Sequence, residues 1–268
     1  MVRIIGVGDN TVDKYLDLGM MFPGGNAVNV PVLAHRYGHP AGYIGWLGDD
    51  AYGRLVLSAL RQEGIAISRC RVVDGPNSYS EVRLVGGERI FGDSISGACE
   101  QIALTDEDLE HISRHDLAHT SIYSHIERYL PRLSEAARCL SFDFSQEWDD
   151  KYLAATLPWV DIALLSFPKC SAMEIRELVR WVHALGPACV LVTQGQQGAA
   201  AYDGRRVVRQ DIVETEVVDT LGAGDAFAAR FLVEYLSGVP IEAALEAAAK
   251  SAAETCGYYG AFGYGVSL

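Results

Sequence analysis

Near its C-terminal end the chain reads Asp219-Thr220-Leu221-Gly222-Ala223-Gly224-Asp225 and runs straight into the helical pattern A-F-A-A-R-F-L-V-E-Y-L. Glycines at a helix start let the backbone approach a ligand, and the first-turn N–H groups there lack carbonyls of their own. Together with the helix dipole they make an anion site that needs no lysine. Asp225 falls in the first turn, beside any negative charge held there. A plain capped helix start is the competing reading, because the dipole alone favours aspartate at that position. A Walker A loop is excluded, since none of Lys14, Lys151, Lys169 and Lys250 follows a glycine. Gly6-Val7-Gly8-Asp9-Asn10-Thr11 begins like G-x-G-x-x-G but carries Thr11 at the third glycine, which leaves a nicotinamide oxidoreductase a weak alternative.

These residues need elements to hold them. Apolar runs of strand length, Ile4–Gly8, Tyr43–Leu47, Leu117–Thr120, Leu140–Phe144, Ile162–Leu165 and Cys189–Thr193, are apolar on consecutive positions. That is the pattern of strands buried on both faces. Helices are expected near 26–37, 51–63, 106–113, 128–138, 171–184, 223–236 and 241–254. Thr105 before Asp106, Glu107 and Asp108 is an N-cap with an acidic first turn. Alternating strands and helices predict a mainly parallel sheet covered on both sides. Two strand-like pieces flank Gly86-Gly87 within 77–93, a hairpin that should project as a small β-lid. Tyr202-Asp203-Gly204-Arg205 is a second hairpin signal. The expectation is a single α/β domain over 1–268, its lid formed by about 11–20 and 77–100.

The 268 residues are 49% hydrophobic and 21% charged, ordinary globular chemistry. With 22 Lys+Arg against 35 Asp+Glu the net charge is -13, which argues against nucleic acid and membrane surfaces as partners. A phosphorylated small molecule held by backbone N–H groups remains compatible. Six cysteines without a C-x-x-C give a structural zinc site no support and read as free thiols in a reducing cytoplasm. No run of eighteen apolar residues occurs, so no transmembrane helix is expected.

Gly24-Gly25-Asn26-Ala27-Val28-Asn29 and the D-T-L-G-A-G-D string, in this order at opposite ends of the chain, resemble the two signatures of the ribokinase-like (PfkB) carbohydrate kinases. Gly6–Asp13, G-D-D-A-Y-G at 48–53, the lid hairpin and T-Q-G-Q-Q-G at 193–198 fall where that family has them, so the resemblance spans the chain. It implies a ribokinase-like three-layer α/β/α fold and an ATP- and Mg²⁺-dependent sugar kinase acting on a primary hydroxyl. Within the family, G-D-N-T-V-D-K-Y, E-R-I-F-G-D and F-D-F-S-Q-E-W-D are most similar to the fructoselysine 6-kinases. Other sugars, Amadori compounds or nucleosides are the alternative substrates.

The resemblance implies Asp225 as general base, with the N–H groups of Gly222, Ala223, Gly224 and Asp225 holding the transferring phosphoryl charge. Asp9, Asp13, Gly25, Asn26 and Asn29 would bind the sugar, joined by His125 and by Arg89 of the lid. Thr193, Gly195, Gly198, Thr220, Gly222, Gly224 and Gly260 would meet the nucleotide, with Ala261 beside the adenine. A monovalent cation (K⁺) near Asp219 and a homodimer through the lid follow from the same resemblance. Two departures stand out. Ser166-Phe167-Pro168-Lys169 replaces the family's N-x-x-E, and Asp143-Phe144-Ser145 replaces D-x-N. The first also leaves a degenerate nucleotide or sugar sensor as an alternative. His111, His115 and His119 recur every four residues, but Asp116–Thr120 reads as strand, which denies the three one helix face for zinc.

Overall fold

A computed structural model describes residues 1–85 and 88–268; the side chains of 84–89 lie outside the description. The hairpin turn expected at Gly86-Gly87 and the side chain of Arg89 therefore fall outside the described residues. Six parallel strands run in the spatial order Ala41–Ile44, Ile4–Val7, Leu117–Ser121, Leu140–Asp143, Ile162–Ser166 and Cys189–Thr193. The antiparallel hairpin Ala199–Tyr202 and Val207–Gln210 extends the last of them, as the Asp203-Gly204 signal anticipates.

Successive side chains on these strands point to opposite faces, and both faces are apolar. Ile4, Leu117, Ile162, Leu164 and Leu191 pack under helices Asn26–Arg36, Ala223–Leu236 and Ile241–Thr255. Ile5, Ala118, Phe142, Leu165 and Val192 pack under helices Asp106–Ile112, Leu130–Ala136, Asp150–Thr156 and Ala172–Ala184. The consecutive apolar runs are thus explained by two cores, one on each side, in a three-layer α/β/α fold. Thr105 caps the 106–112 helix through a reciprocal pair with Asp108, and Ser171 with Glu174 does the same for 172–184.

A second sheet orders Val266–Ser267, Met20–Gly24, Thr11–Tyr15, Tyr79–Val85 and Glu88–Ile95, which gathers the segments assigned to the lid. The expected strand Tyr43–Leu47 is corrected. It breaks at Gly45, and Trp46–Gly48 pairs instead with Arg71–Val73. Tyr43 turns its hydroxyl onto the Gly8 and Asp9 carbonyls at 2.7 and 3.1 Å, and its ring fills the space a Cβ at residue 45 would need. The 150–156 helix is unpredicted, although Asp149 caps it at the Tyr152 N–H.

Candidate active site

In an open parallel sheet, ligands bind beyond the carboxyl ends of the strands where the strand order reverses. Here the chain runs from Ile4–Val7 to its neighbour on one side, then returns to Leu117–Ser121 on the other. A cavity of about 600 Å³ opens at that point. Asp9, Tyr123, Asp143, Ser166 and Thr193, each at or just past the end of a parallel strand, line it. Asp13, Ser80, Phe91 and Ile95 of the second sheet line it as well.

Asp225 stands in the first turn of the Ala223–Leu236 helix and lines the cavity. Its Oδ1 accepts from Asn26 Nδ2 at 2.8 Å and its Oδ2 from Asn29 Nδ2 at 2.6 Å. Burial pushes its pKa up to about 7, opposed by the Asn29 hydrogen bond and reinforced by the nearby Asp143 and Asp9 charges. The same burial lifts Asp143 to about 6, against hydrogen bonds from the Ser145 N–H and from Asn26. Asp225 at pH 7 is thus poised between proton acceptor and donor, where a general base works best.

The anion turn is shaped by Gly222, which has φ +78° and lies so close to Ala261 that a Cβ would sit 2.4 Å from the Ala261 Cβ. At Gly224 a Cβ would meet no protein atom within 4 Å, so the turn presents bare backbone to open space. The first-turn N–H groups of Gly224 and Asp225 have no carbonyl inside their helix. Ala223 differs from expectation, since its N–H turns back to the Thr220 carbonyl at 3.3 Å. Three of the four expected donors remain in play.

The described residues expected on the sugar side line the same cavity as Asp225. Asp9 is buried, with Oδ1 held by the Ser121 and Ser124 hydroxyls at 2.7 and 2.8 Å. Gly25, at φ +111°, passes so near that a Cβ would lie 3.0 Å from Asp9 Oδ2 and 2.6 Å from Asn10 Cα. Asp13 and His125 also line the cavity, His125 from a left-handed turn. Asn26 was expected to offer its amide to the sugar. Instead the amide is spent on protein, with Nδ2 on Asp143 and Asp225 and Oδ1 on His119. Asn29 keeps its Oδ1 buried without a protein partner.

On the nucleotide side, Thr193 lines the cavity while Gly195 and Gly198, both at positive φ, form the turn behind it. Thr220 is exposed. Gly260 gives its N–H to Asp219 Oδ2 at 3.1 Å, and Asp219 also accepts from Tyr15 and the Leu221 N–H. At the place of the N-x-x-E motif, Ser166 reaches the cavity, whereas Lys169 is exposed in a left-handed turn. Among the described residues no cluster of three or more metal-ligating side chains forms. His111 and His115 pack together, ring centroids 5.2 Å apart, whereas His119 lies apart in a strand, so the three do not converge on one point.

Sequence reasoning assigns no role to Glu147, which lines the cavity and stands within the F-D-F-S-Q-E-W-D string. It also assigns no role to Asp143, which keeps the aspartate of D-x-N while Ser145 departs from it, although a carboxylate at the end of an expected parallel strand is itself a site signal. Five carboxylates, Asp9, Asp13, Asp143, Glu147 and Asp225, line the cavity, and among the described residues no lysine or arginine does.

The pfkB family carbohydrate kinase model matches residues 17–263, and the chain belongs to that family. Fructosamine kinase FrlD of Bacillus subtilis is 43% identical, covering 98% of this chain and 94% of its own. Fructoselysine 6-kinase of Escherichia coli is 36% identical, over 98% of this chain and all of its own. Arabidopsis thaliana ribokinase, solved with ribose and ATP, superposes with a TM-score of 0.84 at 23% identity, covering 97% of this chain and 94% of that one. A putative ribokinase II from E. coli, solved with ATP and Mg²⁺, gives 0.80 at 21%, over 98% and 95%. The protein is an ATP-dependent sugar phosphotransferase of the ribokinase-like fold. Among the described residues no helix is long and apolar enough to cross a membrane.

Proposed function

We propose that the chain phosphorylates a fructosamine such as fructoselysine at its primary hydroxyl, with Asp225 as the general base. The observation that carries the substrate class is the charge of the cavity. Five carboxylates with no lysine or arginine among the described lining residues suit a sugar bearing an ammonium group. The fructosamine and fructoselysine kinases that resemble this chain over nearly its whole length support the same reading.

Asp9 and Asp13 accept hydrogen bonds from the sugar hydroxyls, and Asn29 offers its unpartnered Oδ1. The second sheet covers the sugar. Asp225 takes the proton of the attacking hydroxyl as its oxygen bonds to the γ-phosphorus of ATP and the bond from that phosphorus to the bridging oxygen breaks, releasing ADP. The N–H groups of Gly222, Gly224 and Asp225 face the phosphoryl oxygens, preorganised by the Gly222–Ala261 contact, so little rearrangement is needed when charge develops. Open space beside Gly224 and unpaired backbone donors fit a nucleotide phosphate there. Mg²⁺ would arrive with the nucleotide and neutralise phosphate charge, and since among the described residues no cluster of three or more metal-ligating side chains forms, phosphate oxygens and water would hold it.

ADP release from Mg-ATP across fructoselysine, fructose, ribose and nucleosides tests the substrate. Fructoselysine should exceed the rest; faster turnover of a neutral sugar would overturn the fructosamine assignment and leave the kinase standing. The pH profile tests the base. A base with pKa near 7 is lost as pH falls through 7, so kcat/KM should drop roughly tenfold per unit below that point. An acidic limb at the ordinary carboxylate value near 4 would remove Asp225 from the role.

A further inference from the structure

His119 lies outside every role considered so far, yet it is fully buried, two hydrogen bonds from the base. Its Nε2 is 2.8 Å from Asn26 Oδ1, and its Nδ1 is 2.8 Å from Ser141 Oγ. Asn26 Nδ2 is 2.8 Å from both Asp143 Oδ2 and Asp225 Oδ1. Two carboxylates accept only, so they require the NH₂ end of the amide, which leaves Oδ1 facing the imidazole. The imidazole must then carry its proton on Nε2, and Nδ1 receives the Ser141 hydroxyl proton at 2.8 Å, a nearer acceptor for it than the Ala118 carbonyl at 3.4 Å. A flipped Asn26 amide would set a carbonyl against two carboxylates.

We propose that His119 is a positioning residue for the kinase reaction: as the neutral Nε2–H tautomer fixed by Ser141, it locks the Asn26 amide so that both of its protons bridge Asp143 and Asp225. This rests on Asp225 as the base. Burial holds the imidazole far below its usual value, at about 3, so it stays neutral while the site works. The charged groups facing Asp225 are Asp143, at the end of the 140–143 strand, and Asp9, after the first strand; Asn26 and Asn29 face it uncharged from the 26–36 helix. The Asn29 hydrogen bond is the larger aid to ionisation of Asp225, and the bridging Asn26 amide adds to it. Hydrogen bonds to a charged form lower a carboxyl pKa.

His119→Leu should therefore move the acidic limb of kcat/KM upward by about one pH unit, the scale of one lost hydrogen bond to a charged group. Activity at pH 6 should fall about tenfold further than activity at pH 9. His119→Gln, which keeps a donor toward Asn26, should return the limb most of the way. A merely structural histidine would scale the whole profile without moving the limb, and that result in a folded Leu variant overturns the proposal. Nitrogen NMR of the native enzyme decides independently of any variant. The His119 ring should remain an Nε2–H neutral imidazole from pH 5.5 to 8.5; an Nδ1–H tautomer, or titration in that range, overturns it. If Asp225→Asn keeps its turnover while the tautomer is as stated, the base assignment fails and the amide lock stands.

Discussion

Asp225→Asn is expected to lower kcat by about 10²–10⁴ with little change in KM for either substrate. The group removed acts on a proton that moves only as the transition state forms, so ground-state binding has little to lose. Stability supplies the control. A carboxyl whose folded pKa is raised to about 7 binds its proton more tightly folded than unfolded, so its charged form costs stability above pH 7 and the cost fades as pH falls through 7. Asparagine carries no charge, so thermal unfolding at pH 8 should occur no lower than in the native chain. Near-normal turnover in the folded variant would eliminate Asp225 as the base.

The second large effect is expected at Gly222. Alanine there meets two obstacles at once, a φ of +78° and a Cβ placed 2.4 Å from that of Ala261. The turn must move, and misplacing catalytic donors by about 1 Å can cost about 10² in rate. Gly222→Ala should thus lose on the order of 100-fold in kcat and also unfold at lower temperature. Gly224→Ala is the contrast. Its Cβ touches no protein atom, so the unfolding temperature should hold while ATP binding weakens. Equal thermal shifts in the two variants would contradict a turn held by Ala261.

The difference between these glycines could not be read from G-A-G, because Ala261 lies far along the chain. Local periodicity served well wherever one neighbour repeats, as in Ile4 and Ile5, Leu164 and Leu165, or Val190 and Leu191, which divide between the two cores. It failed where a side chain intrudes from elsewhere, as Tyr43 does at Gly45. The 150–156 helix stayed hidden because only Leu153 and Thr156 are buried, too few to show a period. The motifs contain Asp9, Asp13, Asn26, Asn29, Thr193, Gly224 and Asp225, which line the cavity. Commitments within the site were not legible there: Asp9 is held by Ser121 and Ser124 more than a hundred residues away, and Asn26 reaches Asp143 and Asp225 across the sheet. Asn26 looked like a sugar ligand because its type fits both tasks.

The carboxylate lining also bears on how a turnover ends. On the proposed assignment the substrate enters with positive charge, but the sugar leaves bearing a phosphate group of charge near -2 at pH 7. At Coulombic ranges of a few ångströms inside a poorly screened cavity, Asp9, Asp13, Asp143 and Glu147 repel that group strongly. The surface that gathers the sugar therefore expels it once phosphorylated, which drives departure of the product and keeps accumulated sugar phosphate from clogging the enzyme.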